Sequence, residues 1–223
     1  MTRVAFTLIC ALTLAAQPSR YIRTSGEATL SAKPDQAQVA VAVVTTASTA
    51  QEAASQNAAL VERVLAQLRA LLGQAADIQT ISYSLSPNYR YPPGGAPPEL
   101  TGYTARNTLE VTTGDLSVIG RVIDTAIQFG ANSVQSLRFT LKEDEALRIK
   151  ALSLAAREAK AHAEAIAAGL GARTGAVISA QEGASVRVIP AEVRTLPAAG
   201  AQTPVEPGLV SVRATVTVEL EIL

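Results

Sequence analysis

The side chains in this 223-residue chain that could carry chemistry are few and far apart. His162 is the only histidine and Cys10 the only cysteine. A zinc site needs several nitrogen or thiolate ligands at helical or loop spacing, and no second histidine or thiol exists to supply them. No metal site is expected. No cofactor is expected either, because the chain contains no Gly-x-Ser-x-Gly elbow, no phosphate-binding glycine loop and no dinucleotide fingerprint. Gly169-Leu170-Gly171 follows a helical pattern, where a phosphate loop would open one, and reads as a helix end. Glu143-Asp144-Glu145 lacks the oxygen spacing of a calcium loop and reads as the acidic start of a helix. His162 lies on the edge of the third helix's seam beside Glu158 and Glu164, and without further partners it reads as a solvated or half-buried helix histidine rather than a catalytic one. A non-enzyme is the expectation.

The remaining candidates are aromatic residues and amides. Four of the five tyrosines (Tyr83, Tyr89, Tyr91 and Tyr103) fall between Asp77 and Thr113. Tyr89-Arg90-Tyr91, next to Pro92-Pro93, could stack on a glycan, a peptide or a partner protein. It could equally fold back on its own sheet, and the sequence leaves both open. Tyr103, after Gly102, alternates with Leu109 and Val111 and is expected to pack within a sheet. Asn107 shares that face. Asn57 interrupts the apolar row of a helix, where a buried amide is expected to bond a neighbouring loop backbone. Asn57, Asn107 and Asn132 are all assigned structural roles, as are the turn residues Pro34 and Asp35.

The elements that must position these residues follow from periodicity. Ala28, Leu30 and Ala32 alternate with polar residues up to the Pro34-Asp35 turn, and Ala37, Val39, Val41 and Val43 alternate after it. The two runs read as an N-terminal hairpin. Thr49-x-x-Glu52 opens a helix with an inward row of Ala50, Ala54, Asn57, Val61, Val64, Leu68 and Leu71. Two alternating arms then flank a Pro/Gly-rich tip, the first carrying Ile81, Tyr83 and Leu85 on one face. Gly114-Asp115 begins a second helix, with Leu116, Ile119, Ile123 and Ala126 inward. Leu137, Phe139 and Leu141 form a further strand. A third helix carries the seam Ile149, Leu152, Ala156, Ala159, Ala163, Ile166 and Leu170. Its alanine centre permits close approach to a sheet or a second subunit. Val177–Glu182 and Ser185–Ile189 read as short strands. Val210 to Ile222 alternates over a long stretch and is expected to join the Gly26 and Val177 strands in the same sheet or a second one.

The resulting fold class is α+β: an antiparallel sheet with a βαββαβ (split βαβ, ferredoxin-like) core, a long alanine-rich third helix and additional strands. The expected core spans 37–141, the third helix 143–170 and the C-terminal strands 175–222, with a Pro/Ala-rich excursion at 190–207.

Composition narrows the function classes. The chain is 48% hydrophobic and 17% charged with equal numbers of acids and bases, and it has no long basic run. A nucleic-acid partner is therefore not expected. Residues 1–20 carry Arg3 and then an apolar run, Val4–Ala16, closed by small residues. This is the form of a signal peptide, and as a helix the run is too short to cross a bilayer of about 30 Å. Export to a bacterial periplasm, with one domain at 21–223 and no membrane span in the mature chain, is the expectation.

An ordered series of fragments resembles the SIMPL domain, a domain of unknown function. The series begins with Gly26-x-Ala28-x-Leu30 before Pro34-Asp35, Ala53–Asn57 and Asp77-Ile-Gln-Thr80. It continues with Leu85-x-Pro87-x-Tyr89-x-Tyr91 and Gly102-Tyr103-x-Ala105-x-Asn107. Ile123-Asp124, Gly130-Ala-Asn132, Phe139, the alanine-rich helix and Gly169-Leu-Gly171 complete it. The resemblance implies an exported bacterial protein, periplasmic or associated with the outer membrane. Related proteins include immunogenic periplasmic proteins that assemble into large ring or channel-like oligomers, and some are linked to oxidative stress. A homo-oligomer of the cell envelope is what this implies here. The family brings no established catalytic residues, and the 190–207 excursion lies outside its pattern.

Overall fold

The computed structural model describes residues 20–73, 76–94, 97–183, 187–189 and 203–223. The expected signal segment, apart from residue 20, and most of the 190–207 excursion lie outside the described residues. The class is α+β, with two antiparallel sheets and three α-helices among the described residues.

The core sheet is built from β2 (Gln36–Ala47), β3 (Asp77–Arg90), β4 (Glu99–Thr113) and β5 (Ser133–Thr140), in the order β3-β4-β2-β5 with every neighbour antiparallel. β2 and β3 therefore run the same way on either side of β4. Helices α1 (Ala50–Leu72) and α2 (Ile119–Phe129) pack against each other and on β2. Between them Val39, Val41, Val43, Leu68, Leu109, Ile119, Val122 and Phe139 are fully enclosed. Thr49 caps α1 by accepting the Glu52 N–H at 3.2 Å. Asp115 caps a short 3₁₀ turn, Leu116–Val118, that leads into α2.

The second sheet has β8 (Val210–Ile222) at its centre. β1 (Tyr21–Ala32) pairs with one side of it over the full strand, from Tyr21 opposite Glu221 to Ala32 opposite Val210. β6 (Thr174–Glu182) and β7 (Arg187–Ile189) share the other side. One face is covered by α3 (Glu145–Gly169).

Two expectations about the elements are corrected. The alternating runs before and after Pro34-Asp35 are not a hairpin. β1 belongs to the second sheet, and both sides of β2 are already occupied by β4 and β5. Pro34-Asp35 is a crossing between sheets, fastened by Asp35 N–H to Thr140 O (3.2 Å) and Lys142 N–H to Asp35 Oδ1 (2.7 Å).

The inward face of α3 is also rotated from the expected seam. It consists of Ala151, Ala155, Ala159, Ala163 and Ala167, while Ile149 and Ile166 are exposed and Leu170 is 71% exposed. The cause is Gly26 on β1. A Cβ built there would lie 2.2 Å from Ala155 O and 2.3 Å from Ala159 N, so the helix backbone rests directly on the strand. Only a stripe of the smallest side chains fits that approach. Thr24 Oγ1 reinforces it by donating to Ala159 O at 2.7 Å.

The segment before β8 ties the two halves together. Thr203 donates from Oγ1 to Asp124 Oδ1 (2.6 Å) and from N–H to Oδ2 (3.3 Å) on α2. Gly120 leaves the room for this, since a Cβ there would meet Thr203 O at 2.5 Å. Val205 then packs on the core of the first sheet.

Candidate functional site

The β3–β4 hairpin is longer than the sheet that carries it. β2 pairs with β4 only as far as Tyr103 opposite Ala47. The next residue, Gly102, has φ +145 and sits where a Cβ would press to 2.7 Å on Ala47 O, so the strand can pass the end of β2 only with glycine there. Beyond it the hairpin continues as a two-stranded ribbon, Asn88 opposite Gly102, Tyr89 opposite Leu100 and Arg90 opposite Glu99. A two-stranded ribbon has little stability of its own in water. This one is braced by side chains: Asn88 Nδ2 donates to Thr104 Oγ1 (2.8 Å), Thr101 Oγ1 donates to Asn88 O (3.0 Å), and Arg90 pairs with Glu99.

On this ribbon Tyr91 is 75% exposed and Tyr89 50% exposed, so neither folds back on the sheet. The Arg90 charge is shared with Glu99, which leaves the tip aromatic and close to neutral. The arrangement suits stacking or flat contact.

The first arm of the hairpin carries a second feature. Ile81, Tyr83 and Leu85 are exposed, Tyr83 by 53%. Their strand is the edge of the core sheet, and Tyr83 and Leu85 lie opposite Asn107 and Ala105 on the face where α1 packs. The helix covers β2 and β4 more fully than β3. Ile81 itself is the extra residue of a bulge between Thr80 and Ser82. Alternation in the sequence shows which residues share a face but not whether that face is covered. The available signal was compositional: between Asp77 and Arg90 this strand carries no charge.

The amides are placed as follows. Asn57 is fully enclosed and donates to two strand carbonyls, Val43 O (2.9 Å) and Ala105 O (3.3 Å), rather than to a loop. Its Oδ1 and that of Asn107 have no protein partner. Asn132 extends the β2 ladder: its Oδ1 accepts from Val44 N–H (3.0 Å), its Nδ2 donates to Val44 O (2.7 Å), and its N–H donates to Ala42 O (3.0 Å). Tyr103 is half-buried next to Gly102.

His162 lies far from this hairpin, on the edge of the second sheet. Its Nδ1–H donates to Ser25 O at 3.0 Å, and Glu158 Oε2 accepts the Glu27 N–H at 2.6 Å. The two side chains of α3 thus occupy backbone groups that an added strand would need. An open cleft of about 380 Å³ at the Asp35 end of the core sheet brings together Asp35, Asp77 and Lys142, but Asp35 is already engaged by the Lys142 backbone. Among the described residues, no group of three or more His, Cys, Asp or Glu could hold a metal, and no helix is long and apolar enough to cross a membrane.

Comparison with known proteins matches residues 22–220 to the SIMPL family, described as protein of unknown function (DUF541). The 26 kDa periplasmic immunogenic protein of Brucella melitensis is 30% identical over 162 residues, 70% of this chain and 64% of that protein. The uncharacterized protein YggE of Edwardsiella ictaluri is 31% identical over 159 residues, 71% of this chain and 66% of its own. YggE of Escherichia coli strain K12 is 32% identical over 161 residues, 71% and 64% of the two chains. The chain therefore spans a little under two thirds of the length of these relatives.

Proposed function

This chain belongs to the SIMPL family, and from that premise we propose that it is an exported, non-enzymatic protein of the bacterial cell envelope that acts by self-association in the periplasm. The periplasmic placement is supported by the name of the Brucella relative and by the charged-then-apolar run between Arg3 and Ala16. The observation that carries self-association is the set of exposed apolar side chains Ile81, Tyr83 and Leu85 on a strand that, among the described residues, is an edge of the core sheet. An exposed, uncharged edge of this length is a template for another chain. The non-enzymatic reading is supported by Asp35, Asp115, Glu27 and Glu99, whose carboxylates are engaged in turn, cap and ion-pair contacts. Sedimentation or light scattering of the native protein decides the matter. A mass of two or more chains at micromolar concentration is expected, and a strict monomer at high concentration overturns the proposal.

The exposure of Tyr89 and Tyr91 favours a second reading, in which the ribbon tip contacts glycan or peptide of the envelope. Replacing both tyrosines with alanine is expected to abolish retention of envelope material on the immobilised protein while leaving its circular dichroism unchanged. Unaltered retention rejects the tip as a binding site.

A further inference from the structure

Among the described residues the two sheets have four unpaired strand edges, and three of them are blunted. β1 has its Ser25 carbonyl and Glu27 N–H occupied by His162 and Glu158 of α3, and it carries Arg23 and Glu27. β6 is broken by two register shifts, at Thr174/Val177 and Val177/Ser179, and β7 is three residues long. β5 is short, and its pairing with β2 shifts register at Ala40/Val41. These are the usual devices against edge-to-edge pairing. β3 differs from all three, being 14 residues long with its only charges, Asp77 and Arg90, at its two ends.

Resting on the self-association proposed above, we infer that β3 is the interface, and that it pairs antiparallel with β3 of a second copy about a two-fold axis at Ser84. The strand is complementary to itself in this register. Tyr83 of each copy lies opposite Leu85 of the other, and Ser82 opposite Ser86. Passing the bulge residue Ile81, Thr80 meets Pro87, Gln79 meets Asn88, Ile78 meets Tyr89, and Asp77 meets Arg90.

Every one of these pairs shares a face. Ile78, Thr80, Tyr83 and Leu85 lie opposite Val111, Leu109, Asn107 and Ala105 of β4, on the side of α1, whereas Asp77, Gln79, Ser82, Ser84 and Ser86 lie opposite the other row. At both ends of the paired strands Asp77 of one copy meets Arg90 of the other, which would then bridge Asp77 and its own Glu99. The two features that would obstruct an arbitrary partner, the bulge and the proline without an N–H, fall opposite each other.

The backbone has the required polarity. Asn88 O faces β4, where Thr101 Oγ1 donates to it, so alternation turns the free groups of Tyr83, Leu85 and Tyr89 outward. Strand spacing of about 4.8 Å puts the two α1 helices, each over β2 and β4, roughly 19 Å apart. That gap is wide enough for the exposed Tyr83 and Leu85 of both copies to fill it.

The register can be read by cross-linking. In the full chain with Cys10→Ser, Ser84→Cys meets its own counterpart across the axis at a non-hydrogen-bonded position, where Cα atoms lie about 4.5 Å apart and a disulfide can close. Mild oxidation is expected to give a covalent dimer with Ser84→Cys and with the Ser82→Cys/Ser86→Cys double variant, but not with Ser82→Cys alone. Separately, Leu85→Lys is expected to raise the dissociation constant about tenfold or more, because each lysine replaces an apolar contact with Tyr83 and the two like charges lie diagonally across the axis. Leu85 is already solvent-exposed, and unchanged circular dichroism shows that the variant folds. If the native protein self-associates but Ser84→Cys does not cross-link and Leu85→Lys keeps its mass, the β3 interface is wrong and self-association stands. If the native protein is monomeric throughout, both fail.

Discussion

The core sheet is covered by side chains that fill space: Phe139, Leu68, Leu109 and Ile119 are all fully enclosed beneath α1 and α2. The second sheet is covered by α3, whose fully buried residues are all alanine, with Leu147 and Leu152 partly buried beside them. Both contacts use the same polar fastening, a buried threonine hydroxyl donating to a helix carbonyl at 2.7 Å, Thr45 to Ala53 and Thr24 to Ala159. What differs is the spacing between helix and sheet. The first contact holds by volume and is vulnerable to loss of atoms. The second holds by proximity and is vulnerable to their addition.

Three measurements would break or sharpen that contrast. Phe139→Ala is expected to cost about 3–5 kcal/mol, the range for a large buried side chain whose cavity does not collapse. Chemical denaturation measures it, and a cost near zero would mean that the core sheet is not held by volume. Gly26→Ala adds one methyl group against the α3 backbone and is expected to cost about 3 kcal/mol, the upper end of ordinary overpacking. The loss should appear as faster amide exchange in α3 and β1, with α1 protection retained. Unaltered exchange in α3 would show that the helix sits farther from the strand.

The smallest effect is expected at the helix entrances. Asp115 accepts from the Ser117 hydroxyl (2.6 Å) and N–H (2.9 Å), and these bonds hold its carboxyl below the ordinary carboxylate value, whereas Asp144 before α3 makes no side-chain cap. A lowered folded-state pKa stabilises above the unfolded value, and that stability is lost as pH falls through the folded one. Asp115→Ala is therefore expected to lower stability slightly at neutral pH and to flatten the acid limb of the melting curve.

The same contrast explains which parts of the fold were legible. Space-filling contacts announce themselves in sequence: Val61, Val64 and Leu68 recur at helical spacing, and α1 faces its sheet with them. In α3 the large residues Ile149, Ile166 and Leu170 drew the reading to the wrong face, because a contact selected for smallness has no hydrophobic signature. Its key was a single glycine, Gly26, more than a hundred residues upstream. Pairing was hidden in a similar way. β1 and β2 each alternate cleanly, and nothing local distinguishes a hairpin from a crossing between sheets. At the candidate site, Tyr89 and Tyr91 could be singled out by type. The openness of Tyr83 and Leu85 depended on how far α1 reaches across the sheet, which only the assembled structure shows.

The pairing of β1 with β8 bears on the order in which the chain can fold. Every strand and helix of the core sheet lies between Gln36 and Thr140, so that half can close as soon as those residues are free. β1 precedes them all but must wait for residues 210–222, some 180 positions later. Loop closure of that length makes such pairing slow relative to local contacts. A nascent or translocating chain would therefore hold a finished core sheet flanked by an unpartnered β1 and a loose α3, a species exposed to proteases and to chaperones alike. A chain stopped before Val210 would remain in that state, with the alanine stripe having no sheet to lie on.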